Sequence, residues 1–297
     1  MFSIIIPTYN NLDYLKLCLE SIRKNSSYNH EIIIHINEGT DGTKEYIGNT
    51  DLNFSYSQIN AGVCVAFNEA VKKASKKYIV LAHDDMYFCP NWDTVFLSEL
   101  RKLPENSDFF LSGTMVQPFE SYINLDCGDT IKNFDEQKLL SELPKIKFED
   151  FQGTHWQPSL IPLKTWNKVG GFSEEFSPGL GSDPDFNMKL WNLGVRIFKG
   201  INDFKVYHFG SIVTRKYKDD PNITTESGSK GGKIFLLKWG ITINFFKKFF
   251  LKSGTKYTKE LSNPQKNLRY FFRYFLCKIN YIYIKYIYNF KNRNNLN

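Results

Sequence analysis

Asn60–Met86 reads NAGVCVAFNEAVKKASKKYIVLAHDDM, and two hydrophobic periods meet inside it. Val63, Ala66, Phe67, Ala70, Val71 and Ala74 recur at i, i+3, i+4, i+7, i+8 and i+11, the stripe of an amphipathic helix. Tyr78 to Ala82 then form an apolar run of strand length that stops on His83, Asp84 and Asp85. Helix followed by buried strand is the repeating unit of a parallel α/β sheet. Two adjacent carboxylates at a strand tip serve no evident purpose in folding.

Working outward from this stretch gives the same alternation. Ile4 to Ile6 form a first buried run, ended by Pro7. Leu15, Cys18, Leu19 and Ile22 fall at helical spacing behind Asn10 and Asn11, which can cap a helix with Asp13 in its first turn. Ile32 to Ile36 form a second run, followed by the turn-rich GTDGT of Gly39–Thr43, and Phe54 to Ser57 a short third. The βαβαβαβ order predicts an open, mostly parallel sheet with helices on both faces. Ligands of such sheets bind at the carboxyl ends of the strands. Pro7 to Asn10 with Tyr9 among them, Asn37 to Asp41, and His83 to Asp85 are therefore expected to converge on one crevice.

With 297 residues and 42% apolar content, the chain is expected to form one large domain, or one domain with an appendage. Cys18, Cys64, Cys89, Cys127 and Cys277 show no CxxC pair and no regular spacing, which points to a reducing compartment rather than to zinc or a disulfide framework. MFSIIIPTYNNLDYL reads as a core strand and not as a secretory signal. No window reaches the roughly 18 consecutive apolar residues of a membrane span. Residues 230–297 hold 15 Lys and Arg against the single acid Glu260, a charge of +14, so the first 229 residues carry −7 of the net +7. Electrically the chain is two objects.

From Val116 to Phe151 periodicity is weak, and loops with short elements are expected. Order returns at LIPL (Leu160–Leu163), at TWNKVGGF, and at GSDPDFNMKLWNLG, where Phe186, Leu190 and Leu193 trace one face. Asp183 followed by Pro184 predicts a helix start, a capping carboxylate before a first-turn proline. KVYHFG (Lys205–Gly210) is expected to be a last strand that presents His208 at its end.

Each candidate group has a chemical and a plain reading. Asp84, Asp85 and His208 could hold a hard divalent cation, since Mg²⁺ and Mn²⁺ favour carboxylates and phosphates and Mn²⁺ also accepts imidazole. They could equally cap a turn and fill a strand. Asp183 could be a general base or only a cap, and a helix N-terminus would favour its ionised form and weaken its basicity. Asn10, Asn37, Glu38 and Asp41 could bind a nucleoside, although turn chemistry explains Asp41 equally well. Gly62, just after Asn60, could admit a phosphate to the backbone or cap the following helix.

Taken in order, these pieces resemble the family 2 glycosyltransferases of the GT-A fold. SIIIPTYN (Ser3–Asn10) is similar to the opening strand and EIIIHINEGTDGT (Glu31–Thr43) to the nucleoside-binding strand and turn. Asn60–Met86 resembles the segment leading into the DxD-type metal motif. VGGFSEEF (Val169–Phe176) and GSDPDF (Gly181–Phe186) resemble the acceptor-side segment with its catalytic aspartate, and YHFGS (Tyr207–Ser211) the closing histidine motif. The resemblance covers residues 1 to about 215.

It implies Mn²⁺ or Mg²⁺ on Asp85 and His208, with Asp84 the ligand if the motif's register is one residue earlier, and Asp183 as base. It also implies contacts to a UDP, GDP or dTDP sugar from Pro7, Tyr9, Asn10, Asn37, Glu38, Asp41, Asn60, Gly62, His83 and Asp84. The implied activity is a metal-dependent, inverting transfer of the sugar to a glycan or glycolipid. Departures are Asn37 where an aspartate is common, His83 at the motif's first position, and Ser182 where an acidic neighbour of the base often stands. Phe235 occupies the first position of what would be a QxxRW-like element near Trp239, which argues for a non-processive enzyme.

The alternatives are a catalytically inactive relative that binds nucleotide or membrane, and a glycoside hydrolase, which also uses paired carboxylates. Residues 1–229 are thus expected to be the catalytic domain, with a nucleotide-sugar-binding half (1–115) and an acceptor-side half (116–229). Residues 230–297 are expected to be a basic, aromatic, helical extension. Its composition suits an anionic membrane surface, although its basic positions do not gather on one helical face; the other reading packs its aromatics on the catalytic domain. No nucleic acid is expected, and the location expected is cytoplasmic, peripheral at the inner face of a membrane.

Overall fold

The isoleucine runs are hydrophobic at every position because both faces of their sheet are covered. In the computed structural model, which describes residues 1–119, 123–216 and 226–294, Ile5, Ile33, Ile79 and Leu81 share one core with the second face's helices, while Ile4, Ile6, Ile32, Ile34 and Val80 share another. Residues 120–122 and 217–225, in the expected acceptor-side half, and 295–297, at the end of the expected tail, lie outside the described residues.

The first half runs β1 (Ser3–Tyr9), α1 (Leu12–Asn25), β2 (Glu31–Asn37), α2 (Thr43–Gly48), β3 (Asn53–Ser57), α3 (Gly62–Val71), β4 (Tyr78–Leu81), β5 (Met86–Phe88) and α4 (Trp92–Lys102). There follow β6 (Phe109–Gln117), β7 (Ile123–Asn124), α5 (Glu136–Glu142), β8 (Phe151–Gln152), β9 (Ser159–Pro162), α6 (Leu163–Val169), α7 (Ser182–Leu193) and β10 (Ile197–His208). The last helices are α8 (Ile212–Lys216), α9 (Glu226–Trp239), α10 (Ile243–Phe245) and α11 (Leu268–Asn294).

The sheet order is β3-β2-β1-β4-β9-β6-β10-β5, with β7 beside β6 and β8 beside β10. The β3-β2-β1-β4 half is parallel throughout, as the alternation predicts. Beyond it, β9 is antiparallel to β4 and β6, and β5 is antiparallel to β10. Because β9 runs backwards, its start, not its end, lies at the carboxyl edge of the parallel strands.

Two local expectations change. β1 does not stop at Pro7: it continues to Tyr9 against β2, ending with Tyr9 opposite Asn37. Its pairing with β4 ends at Ile5, so from there on β1 has only one partner in the ladder, a place where proline's missing N–H is tolerated. The face of α7 is also shorter than expected: Phe186 and Leu190 are buried, but Leu193, at the helix end, is 39% exposed.

The basic C-terminal segment does not begin as a free tail. Phe235, Leu236, Ile241, Phe245, Phe246 and Leu251 are buried in the same core as Trp191 and Phe198. Gly231 of α9 lies so close to the loop before α7 that a Cβ there would meet the Leu180 carbonyl oxygen at 1.9 Å. The packing alternative therefore holds for α9 through Leu251, and the expected division at 229/230 does not interrupt the core. Phe235→Ala should cost roughly 3–5 kcal/mol, since it leaves a cavity among side chains from both segments. Urea denaturation checks this, and an unchanged midpoint would contradict the docking.

Candidate active site

Backbone register brings the first pair of functional groups together. β5 pairs with β10 so that His208 lies opposite Met86, and the Phe209 N–H bonds the Asp85 carbonyl at 3.2 Å. Asp85, one residue before Met86, therefore meets His208: Oδ1 lies 3.3 Å from Nε2. Its other oxygen accepts the Ile212 N–H at 3.1 Å. The continuation of β1 past Pro7 supplies the second support, since Thr8 donates its hydroxyl to Asp84 Oδ2 at 2.7 Å. Both carboxylates are only 5% exposed.

These groups line a cavity of about 460 Å³ at the carboxyl edge of the sheet. Pro7, Tyr9, Asn37, Asn60, Gly62, His83, Asp84, Asp85, Asp183 and His208 all border it. Asn10, Glu38 and Asp41 do not, and they brace the rim beside Asn60 and α1 instead. The Glu38 carboxylate accepts the Asn60 N–H at 3.2 Å and the Asn10 amide at 3.3 Å. Asp41 accepts the Leu12 N–H at 2.8 Å and the Thr43 hydroxyl at 2.6 Å, the turn chemistry its sequence allowed. It thereby supplies the cap expected from Asn10 or Asn11, since Asn11, although at the N-cap position of α1, makes no side-chain cap bond.

Asn37 Oδ1 accepts the Ala61 N–H at 3.0 Å. Gly62, at φ +81°, opens α3, its N–H bonded to Asn60 Oδ1 and the next N–H to the Pro178 carbonyl. A Cβ at Gly62 would meet Ser177 and Pro178 at 3.1–3.2 Å, so the backbone that approaches this glycine is the chain's own.

Asp183 is not an N-cap. Gly181, at φ +95°, holds that position and α7 starts at Ser182, which puts Asp183 inside the first turn. Its carboxylate turns to the cavity and accepts the Gln157 amide at 2.9 Å. Burial pushes its pKa up to about 6, against the lowering effect of the Gln157 bond. The helix end was expected to weaken this base, and desolvation outweighs it. Two residues on, Asp185 faces away from solvent and accepts Ser173 Oγ at 2.6 Å and Trp239 Nε1 at 2.8 Å, with Lys238 Nζ at 3.0 Å.

The adjacent carboxylates titrate apart. Burial, then the Asp85 charge, pushes Asp84 up to about 7. Burial acts upward on Asp85 as well, but His208, His83 and the Ile212 N–H together hold it below the usual carboxylate range. His208 is raised in turn: burial lowers it, and Asp85 more than restores it. Burial lowers His83, which Gln157 also contacts.

Among the described residues no three His, Cys, Asp or Glu side chains form a closed metal cage. A facing carboxylate and imidazole beside an open cavity nevertheless suit a hard cation that completes its shell with phosphate oxygens and water. The donor set thus fits Mg²⁺ or Mn²⁺ bound together with a diphosphate. Gln157 and Gln117 were not foreseen; the Gln117 amide lies 2.6 Å from His208 Nδ1. Both are positioned by strands of the second half, and a lone glutamine has no spacing that could announce it.

Residues 3–120 match the family model for glycosyl transferase family 2. Over that segment the chain is similar to family 2 glycosyl transferases. The chain is 27% identical over 206 residues to a chondroitin synthase of Pasteurella multocida, covering 68% of the chain and 20% of that protein. A hyaluronan synthase of Pasteurella multocida matches with the same identity and coverage. An uncharacterized glycosyltransferase of Rickettsia typhi is 32% identical over 179 residues, 59% of the chain and 54% of that protein. The chain therefore spans only a fifth of the length of the two synthases. The crystal structure of S. aureus TarS 1-349 with UDP-GlcNAc superposes with a TM-score of 0.53 at 16% identity, over 80% of this chain and 66% of that one. The GT-A fold expected from the sequence is the fold observed.

Gln157→Leu should raise the Asp183 pKa above about 6, because the lost bond favours the ionised form. Carbon-detected NMR titration of the Asp183 carboxyl reads the shift directly; an unmoved midpoint would mean the bond contributes nothing in solution.

Proposed function

We propose that the chain is a metal-dependent, inverting, non-processive glycosyltransferase that moves a sugar from a nucleotide-sugar donor to a glycan or glycolipid acceptor. The observation that carries this reading is one cavity bordered both by the Asp84, Asp85 and His208 cluster and by Asp183, a partly enclosed carboxylate whose pKa is raised to about 6. Similarity to proteins named chondroitin synthase and hyaluronan synthase supports a glycan as acceptor.

In this reading Asp85 and His208, with Asp84 beside them, hold the cation, and the rim from Tyr9 through Asn37 and Asn60 borders the nucleoside. The cation, when bound, supplies Lewis-acid neutralisation of the charge that develops on the departing diphosphate. Asp183 takes the proton of the acceptor hydroxyl. The acceptor oxygen forms its bond to the anomeric carbon as the bond from that carbon to the diphosphate oxygen breaks. The electron pair leaves on the nucleoside diphosphate, and a single displacement inverts the centre. A pKa near 6 suits this role: the carboxylate is ionised at neutral pH yet more basic than an ordinary aspartate. Gln157 orients the carboxylate, and Trp156, Phe172 and Leu180 line the cavity with it.

The experiment is nucleotide release from UDP-, GDP- and dTDP-sugars with Mn²⁺ or Mg²⁺ and candidate glycan acceptors. Absence of both turnover and donor binding across the panel would sink the proposal. Asp183→Asn should lower transfer by roughly 10²–10⁴-fold with donor binding retained; binding without any turnover in the unaltered chain would instead favour the inactive nucleotide-binding protein. The rate of transfer should fall as pH drops through about 6, following protonation of Asp183. A flat pH–rate profile across that range would remove Asp183 as the base.

A further inference from the structure

The C-terminal helix α11 is docked along one side only. Tyr270 and Cys277 are buried, and Tyr274 packs against the core beside them. With about 100° of rotation per residue, the side chains left outside fall on the opposite side of the helix. Phe271, Phe272, Phe275, Ile279, Ile282 and Tyr283 are each 47–66% exposed and occupy an arc of about 120°. Leu268, at 86% exposure, begins the same arc.

The cations that looked scattered in the sequence lie along the borders of this arc. By the same rotation Arg269 and Arg273 follow one border, Lys278 and Lys285 the other. Lys278 lies over the ring of Tyr274 at 4.9 Å and Lys285 over that of Tyr281 at 5.6 Å, at the junction between docked and outward faces. The helix carries six Lys and Arg and no Asp or Glu. Among the described residues no helix is long and apolar enough to cross a membrane.

We propose that α11 lies flat on an anionic lipid bilayer, the aromatic and aliphatic arc in the acyl boundary and the flanking arginines and lysines on lipid phosphates. Charge decides the occupant. A second copy of the chain would set the four flanking cations against four like charges, whereas an anionic bilayer neutralises them. Each cation at the surface strengthens such binding roughly fivefold.

Flotation of the full chain with phosphatidylcholine vesicles, with and without phosphatidylglycerol, tests this in the absence of any donor, so its failure leaves the transferase reading standing. The chain should float only with the anionic vesicles, and less as salt rises. Phe272→Ser/Phe275→Ser/Ile279→Ser, which alters only exposed side chains, and Arg269→Glu/Arg273→Glu should each lower the partition coefficient by about tenfold or more, with circular dichroism unchanged. No flotation of the unaltered chain, or equal flotation of the triple variant, overturns the proposal. A dimer in sedimentation that the triple variant disperses, without vesicle binding, assigns the arc to a second copy instead.

Discussion

Two neighbouring carboxylates buried at the end of β4 are the constraint around which the rest of the site is arranged. Removing an ion from water costs several kcal/mol even after relaxation, and two like charges in adjacent residues add their mutual repulsion. The chain answers from two distant segments. β1 runs past its proline to bring Thr8 to Asp84, β10 is registered on β5 to bring His208 to Asp85, and the turn after β10 adds the Ile212 N–H. The asymmetry of these supports splits the pair, one carboxyl raised and the other lowered. Thr8 and His208, which support the buried pair, also border the cavity, so the folding of this site and its chemistry are one problem.

What was legible in the sequence was the part governed by periodicity. A strand buried on both faces is apolar at every position, and the helices between such runs keep their stripe, so β1 through β4 and their parallel order follow from the pattern. The second half hides its strands. FFLSGTMVQ of β6 carries Ser112, Gly113 and Thr114 at its centre, and nothing in Ser159–Pro162 records that β9 runs backwards. That reversal places Gln157 against Asp183, and so the support of the carboxylate escaped notice. Asp183 is not the cap that its sequence suggested. Asp before Pro suggests a cap, yet Gly181 takes the left-handed turn first and frees the aspartate to face the cavity. The conjunction of Asp85 with His208, 123 residues apart, was open to a chemical and a plain reading in the sequence, since spacing alone does not choose between them.

The C-terminal segment divides into two behaviours that its uniform composition conceals. Up to Leu251 its aromatics complete the core under β10 and α7, while those of α11 alternate between docked and outward sides. A stretch rich in Phe, Tyr and Lys gives no sign of where one behaviour yields to the other, because burial depends on what lies opposite each side chain.

Asp183 and Asp185 stand two residues apart in one turn of α7, about 200° around its axis. One reaches the cavity and the other is clasped by Ser173, Lys238 and Trp239. The turn therefore behaves like a keyed shaft, its phase locked by the clasped carboxylate. A single inserted residue between the two would rotate one against the other by about 100° and lose either the key or the alignment. Lys238 and Trp239 of α9 thus bear on the same turn that carries the cavity-facing Asp183.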